Sequence, residues 1–313
     1  MHNLPSSGMR LVADVGGTNT RMALSCDGAI VPGTVRSYAN DEWDDFYLIL
    51  ASFLAARNTE LDEMVIAVAG PVDNGQAQLT NRSWVIEASH IGVRFDCGKI
   101  HLLNDLNALA YATQSLNDGQ LRQVRVGVLL ETSPAQSLVV GVGTGFNVGP
   151  VLEQSGVMFC PAVEAGHATL PFSVSRELIR AGIDVDLFET VEALFSGRGF
   201  TRFCQQMTGE PDLDGRAVIS AYKQGGPQSI SAAVELYAKL FGRLLGDLSM
   251  AYMPTSGMYL AGSVARAIMQ VAQKACLEGI SRHSQISASF NAPVWVIEDD
   301  AAALIGCMGY AFD

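Results

Sequence analysis

Positive charge is scarce in this chain. Its 313 residues carry 20 lysines and arginines against 32 aspartates and glutamates, a formal net charge of −12. Duplex binders and polybasic membrane binders rely on cationic side chains against phosphate, so neither class fits, and no nucleic-acid or membrane partner is expected. Paired cysteines are missing as well. Cys26, Cys97, Cys160, Cys204, Cys276 and Cys307 are dispersed, and even the nearest two stand far beyond C-x-x-C spacing, which excludes a zinc or redox pair of that kind. Dispersed thiols in a chain long enough to bury a large core suit a reducing compartment. Long apolar runs are lacking too. Leu138–Leu152 is nearly apolar but short and broken by four glycines. A spanning helix needs roughly 20 apolar residues, so this stretch is expected to be a hairpin. Residues Met1–Pro5 show neither the basic flank nor the apolar stretch of a signal peptide, and a cytoplasmic location is expected.

Two nucleotide motifs are also absent. The one Gly-Lys pair, Gly98-Lys99, is followed by Ile100, so no G-x-x-x-x-G-K-[ST] loop exists. In Gly141-Val142-Gly143-Thr144-Gly145-Phe146, phenylalanine occupies the last glycine position of a dinucleotide fingerprint. What remains is a globular α/β pattern. Hydrophobic residues make up 49% and charged residues 17%, which excludes long disorder, and the length suits about two domains.

Met9–Val15 reads as a buried strand, followed by a Gly16-Gly17 turn and a returning strand to Cys26. Asp27-Gly28 then turns the chain into a third strand near Ile30–Ser37. A helix follows with apolar positions from Trp43 to Leu54, capped by Asn40 or Asp41. Met64–Ala69 and Ile100–Leu103 read as buried strands, with a helix over Asp105–Ser115. The pattern then restarts: strand Ser137–Val142, turn Gly143-Thr144-Gly145, partner strand Phe146–Leu152. Mostly helical sequence follows, including Val185–Phe195 and a long helix from Ile230 to Met253. The strand Gly257–Ala261, a helix Val264–Leu277, the strand Val294–Ile297 and a helix Ala301–Gly309 close the chain. Both halves open with strand, glycine turn and returning strand. A duplicated fold would set the two turns face to face across a cleft.

Four clusters carry candidate chemistry. In Asp14-Val15-Gly16-Gly17-Thr18-Asn19, glycines let successive N–H groups approach phosphate oxygens, and Asp14 suits a magnesium ion held through water; an ordinary hairpin turn reads equally well. Asp105, after Asn104 at a strand end, can accept a hydroxyl proton or simply cap a helix. Glu164-Ala165-Gly166-His167 joins a carboxylate and an imidazole on a loop, suited to a polyol or to the solvent surface. Glu192 lies on a helix, where exposed carboxylates are routine.

Taken in order, Asp-x-Gly-Gly-Thr-x-x-Arg, Leu-Asn-Asp-x-x-Ala, Gly-x-Gly-Thr-Gly, Glu-x-Gly-His and an Ala-Gly after a strand resemble the bacterial glucokinase family of hexokinase-type, actin-like sugar kinases. The resemblance runs from Leu11 to about Gly306 and includes Thr80-Asn81-Arg82-Ser83-Trp84. It implies an α/β, two-domain actin-like (ribonuclease-H-like) ATPase fold with a cleft between a small domain, 1–115 plus 300–313, and a large one, 116–299. It implies ATP-dependent phosphorylation of the 6-hydroxyl of an aldohexose, glucose first, with Mg2+. The alternatives are another hexose, such as mannose or an N-acetylhexosamine, or a sugar-binding regulator without turnover. By the same resemblance Asp105 is the general base, and Asn104, Glu164, His167, Glu192 and Asn81 hold the sugar. Asp14, Gly16, Gly17, Thr18, Asn19, Gly143, Thr144, Gly145, Gly262 and Ser263 lie on the nucleotide side, and a homodimer is implied.

The chain departs from the family at four places. Ser263 stands where a second glycine is usual after Ala261-Gly262, and the stretch Asp299–Gly306 looks like Asn-Pro-Gly-Leu-x-Gly with its first half replaced. Phe146-Asn147 stands for Leu-Gly, and Glu164-Ala165-Gly166-His167 for Glu-Gly-Gly-His. The cysteine-rich zinc signature of the related repressor-and-kinase sugar family is absent, so no structural metal is expected.

Overall fold

The computed structural model describes residues 8–57, 59–80, 82–129, 134–280 and 292–310. The chain divides into two compact units, Met1–Asn117 with Asp299–Asp313, and Asp118–Glu298. Among the described residues no helix is long and apolar enough to cross a membrane.

In the first unit, strands β1 (Arg10–Val15), β2 (Asn19–Cys26), β3 (Ala29–Ile30), β4 (Arg36–Ala39) and β5 (Glu63–Val68) come before a small three-stranded sheet. That sheet is β6 (Val72–Asp73), β7 (Gln76–Gln78) and β8 (Val85–Glu87), and β9 (Ile100–Asn104) follows it. The main sheet runs β3-β2-β1-β5-β9, with β4 also on β2. β1 pairs antiparallel with β2, while β5 lies parallel to both β1 and β9. Alternation along the strands sorts the core into two layers. Leu11, Ala13, Val15, Met64, Ile66 and Val68 pack beneath the helix Phe46–Ala55. Val12, Ala23, Val65, Ala67 and Leu103 face the other way, packed with Ala108, Leu304 and Cys307 of the helices Asp105–Ala112 and Ala302–Gly309. Both faces of β5 are therefore covered, which is why its sequence is an unbroken buried run.

The second unit holds β10 (Leu121–Arg125), β11 (Ala135–Val142), β12 (Phe146–Gln154), β13 (Val157–Phe159), β14 (Gly257–Ala261) and β15 (Val294–Ile297), ordered β10-β15-β14-β11-β12-β13. β11 pairs antiparallel with β12 and parallel with β14, and β14 pairs parallel with β15. The path β2-β1-β5-β9 is thus repeated as β12-β11-β14-β15, the duplicated arrangement of the actin-like ATPase fold. One face of this sheet, through Leu138, Val140, Phe146 and Leu260, packs in a single core with Tyr237, Phe241 and Leu244 of the 25-residue helix Gln228–Tyr252.

Several local expectations are corrected. The third strand is split into β3 and β4, both on β2, by a turn through Pro32-Gly33 with Gly33 at φ +75°. Asp45, not Asn40 or Asp41, caps the first helix, its Oδ1 accepting from the Leu48 amide at 2.8 Å. Asn40 is unavailable because its side chain is committed to the Gly16 turn. Val185–Phe195 is no continuous helix. It forms a single turn at Val185–Leu187 and a short helix at Val191–Leu194, interrupted by a bridge between Thr169 and Thr190. The helix expected over Val264–Leu277 breaks at Ala272 into Ser263–Val271 and Gln273–Ile280.

Candidate active site

In the first unit the turn between paired Val15 and Thr20 closes with a bond from the Gly16 amide to the Asn19 carbonyl at 3.0 Å. Its outward carbonyls are all tied down. Asn40 Nδ2 donates to Gly16 O at 2.8 Å, the Asn40 amide to Thr18 O at 2.8 Å, and Arg82 Nε to Gly17 O at 2.6 Å. Asn40 Oδ1 also accepts from Thr20 Oγ1 at 2.8 Å, and both residues are fully buried. Among the described residues nothing accepts from the Gly17 or Thr18 amides. A turn with its carbonyls held back and its amides open is built to meet an anion.

Asp14, one residue before the end of β1, pairs in register with Arg21, whose guanidinium lies 3.7 Å from Asp14 Oδ2 and 3.9 Å from Asp300 Oδ2. Burial, followed by the charge of Asp105, pushes the Asp14 carboxyl up to about 7; Arg21 pulls the other way and Asp300 adds to the rise. Asn104 and Asp105 stand where β9 passes into the helix Asp105–Ala112. Asn104 is itself the cap, Oδ1 accepting from the Leu106 amide at 3.0 Å, while Nδ2 donates to Gly70 O at 2.9 Å. Asp105 is half-buried and its Oδ1 accepts from the same Leu106 amide at 2.9 Å. Asn81 lies outside the described residues. Its neighbour Arg82 rests over the Trp84 ring and also pairs with Asp41.

In the second unit the equivalent turn, between paired Val142 and Phe146, closes from the Gly143 amide to Gly145 O at 2.9 Å, and Gly143 O accepts from the Gly197 amide at 2.8 Å. Thr144 is exposed at its tip. Gly262, at φ +93°, packs so tightly on the Val142 carbonyl that no side chain fits there. Three helices begin around this turn: Gly197–Thr208, Gly215–Lys223 and Ser263–Val271. Gly143, Thr144, Gly197, Gly215 and Ser263 line one cavity of about 730 Å³, with Arg198 and Arg216 on its wall. Helix N-termini carry partial positive charge, so three of them with two arginines favour an anion, although the Asp214 carboxylate, which caps the second of these helices, shares the lining. Gly197, Arg198, Gly215 and Arg216 went unseen in the sequence; the signals for them were the caps Ser196 and Asp214.

The remaining candidates gather beside the same turn. Glu192 Oε2 accepts from the Phe146 amide at 2.9 Å, which anchors it against Gly145. The loop carrying Glu164 and His167 lies flush on β12, because Gly166 abuts the Phe146 carbonyl with no room for a Cβ. Its far end runs beside residues 189–191, with Val191 N donating to Ala168 O at 2.9 Å. Glu164 and His167 are both exposed. The second unit therefore brings together Gly143, Gly145, Glu164, His167 and Glu192, and the first brings together Asp14, Asp105 and the Gly16–Asn19 turn.

A glucokinase family model matches residues 11–312. A glucokinase of Stenotrophomonas maltophilia strain K279a is 29% identical over 318 residues, covering 97% of this chain and 95% of the relative. The crystal structure of a glucokinase from an Antarctic psychrotroph superposes with a TM-score of 0.83 at 24% identity, covering 96% of this chain and 98% of that one. A Balamuthia mandrillaris glucokinase solved in complex with glucose gives 0.75 at 19%, covering 96% and 92%. The order of the motifs, the repeated sheet and the near-complete match lead to one assignment: this chain belongs to the glucokinase family.

Proposed function

We propose that this chain transfers the terminal phosphoryl group of ATP to the 6-hydroxyl of glucose. The observation that carries it is the pairing, within one unit, of the half-buried Asp105 carboxylate with an anion-ready glycine turn and the half-buried Asp14. Family membership supplies the sugar.

Asp105 accepts the hydroxyl proton as the oxygen attacks the terminal phosphorus; the bond to the leaving diphosphate oxygen breaks, and the proton later passes to water. Glu164, His167, Glu192, Asn104 and Asn81 are assigned to the sugar hydroxyls. The Gly16–Asn19 and Gly143–Gly145 turns are assigned to the phosphates, and the cavity beside Gly262 and Ser263 to the nucleoside. In phosphoryl transfer the protein mainly positions reactants and offsets charge, which fixed amides and helix ends suit.

Asp105 and Asp300 add their negative charge to that of Asp14, and Arg21 offsets it only in part, so the donor set fits a hard divalent cation. Among the described residues no cluster forms a direct cage, so Asp14 would hold Mg2+ through water, the ion neutralising phosphate charge when bound. By analogy with the family we also propose a cytoplasmic homodimer, an assembly that sedimentation would read. The test of the function is ADP release from ATP across glucose, mannose, N-acetylglucosamine and N-acetylmannosamine. Glucose is expected to give the highest kcat/KM. A higher value for another hexose moves the substrate, and binding without turnover makes the chain a sugar-responsive regulator.

A further inference from the structure

We infer that Asn147 is a positioning residue for the sugar, setting the direction of the Glu164 carboxylate and holding the loop that carries it. The inference rests on the hexose-kinase reading above and deepens its acceptor side.

Asn147 is the second residue of β12, half-buried, next to the Gly143–Gly145 turn. Its carboxamide is saturated. Nδ2 donates to Val163 O at 2.7 Å and to Glu164 Oε2 at 3.1 Å. Oδ1 accepts from the Ala165 amide at 2.9 Å and from the Val148 amide at 2.8 Å. Two donors and two acceptors are all an asparagine side chain offers, so only one orientation of the amide satisfies the site. A flipped amide would set its NH2 against two N–H groups and its oxygen against a carbonyl and a carboxylate.

Three consecutive loop residues, Val163, Glu164 and Ala165, are thus gripped by one side chain of the strand beneath. The grip matters because Glu164 is exposed and lies outside helix and strand, where a carboxylate would otherwise sample several rotamers. Occupying Oε2 fixes the carboxylate plane, and among the described residues Oε1 has no protein partner, so it is free for a hydroxyl donor. A group oriented before binding does not give up that freedom when the ligand arrives. Two departures from the resembled family, Asn147 for glycine and Ala165 for glycine, meet directly at the 2.9 Å bond. A glycine at 147 could make none of the four side-chain contacts.

The test is a two-substrate kinetic matrix on Asn147→Ala and Asn147→Asp, with melting temperatures taken in parallel. Asn147→Ala is expected to raise the KM for glucose about tenfold, with kcat within about threefold and the KM for ATP within about twofold of the parent. The aspartate is close to isosteric and would be the milder change if Asn147 only filled space. On this inference it is the harsher one, because a carboxylate replaces the donor facing Val163 O and Glu164. Its glucose KM is expected to exceed that of the alanine variant at pH 8 and to improve as the pH falls toward about 5, where the introduced carboxyl, raised by the neighbouring Glu164 carboxylate, takes up a proton and regains a donor. A glucose KM within about twofold of the parent in both variants, a milder aspartate, or an equal rise in the KM for ATP would overturn it. Should the alanine variant misfold, Asn147→Gly takes its place with the same expectation. A parent that turns over no hexose refutes the proposed function instead. Calorimetric hexose binding by parent and variants then reads the role of Asn147, and a parent that binds no hexose overturns both.

Discussion

The brace behind the first glycine turn gives the most demanding prediction. Asn40 is fully buried and contributes two side-chain hydrogen bonds, to Gly16 O and from Thr20 Oγ1, each 2.8 Å. Asn40→Ala deletes both while its backbone bond to Thr18 O survives. The Thr20 hydroxyl, fully buried, is then left without an acceptor, and an orphaned buried polar group costs about 1–3 kcal/mol. The Gly16 carbonyl is only half-buried, so water replaces part of its lost bond and its share lies at the low end of that range. Together the substitution is expected to destabilise the first unit by roughly 2–4 kcal/mol. The assay is urea unfolding followed by tryptophan fluorescence, since Trp43 and Trp84 belong to that unit and Trp295 to the other. The orphan also supplies an internal control. Adding Thr20→Val removes the stranded hydroxyl, so the double variant should recover about 1 kcal/mol relative to Asn40→Ala alone. With the turn loosened, the KM for ATP should rise about tenfold, a loss of about 1.4 kcal/mol in binding. A stability change below about 0.5 kcal/mol with an unchanged KM for ATP refutes the bracing argument. Destabilisation without the valine rescue refutes its mechanism.

Three further outcomes follow from the same geometry. Asp105→Asn keeps the cap bond from Leu106 but cannot take a proton, so kcat should fall about 10²–10⁴-fold with the melting temperature nearly unchanged; kcat within about threefold of the parent sinks the assignment. Asp14, held near 7 in the fold against 3.8 in a free chain, keeps a proton when folded that it releases when unfolded. Without nucleotide or divalent cation, stability should therefore fall as pH rises from about 4 to about 7, and Asp14→Asn should flatten that slope in pH-dependent melts; a parallel slope in the variant refutes it. Glu192 holds the Phe146 amide beside the Gly143–Gly145 turn, so Glu192→Ala should raise the KM for ATP as well as for glucose; a change confined to glucose means the turn does not lean on that carboxylate.

The elements legible in the sequence are those whose signals are local. β5 and β14 announce themselves as short apolar runs closed by glycine, and the two glycine turns stand out as Gly-Gly and Gly-x-Gly between apolar runs. Asn104-Asp105 falls at a strand end because a mostly apolar run, Ile100–Leu103, stops there and a helical period starts; in the fold that strand is only partly buried. The small sheet β6–β8 left little trace, since strands of two or three residues with at most one buried position carry no measurable period. Asn40 was misread for a clear reason: an asparagine ahead of an apolar helix is an ordinary cap, and nothing nearby says that its amide is spent on Gly16. Arg82 reaches Gly17 across 65 residues of chain, and Asn147 reaches Glu164 across 17. Partners at such separations obey no spacing rule.

The two units sharpen this into an argument about what the repeat carries. Their sheets follow the same path, and each places a glycine turn between the two antiparallel strands at the same point. The two turns are supported by different segments. The first is held on its carbonyls by the side chains of Asn40, just past β4, and Arg82, ahead of β8, and by the Asn40 backbone amide. The second is held by a helix amide, Gly197 on Gly143 O, and by Glu192 on the Phe146 amide. A turn that presents amides to an anion must have its other polar groups satisfied from behind, and the residues that do so come from segments lying outside the repeated strands. The duplicated strands therefore fix where each glycine turn stands, while the segments outside them supply its supports. On the proposed reading, Asp14 and Asp105 beside the first turn and Glu164 and Glu192 beside the second would serve different chemistry on the same scaffold.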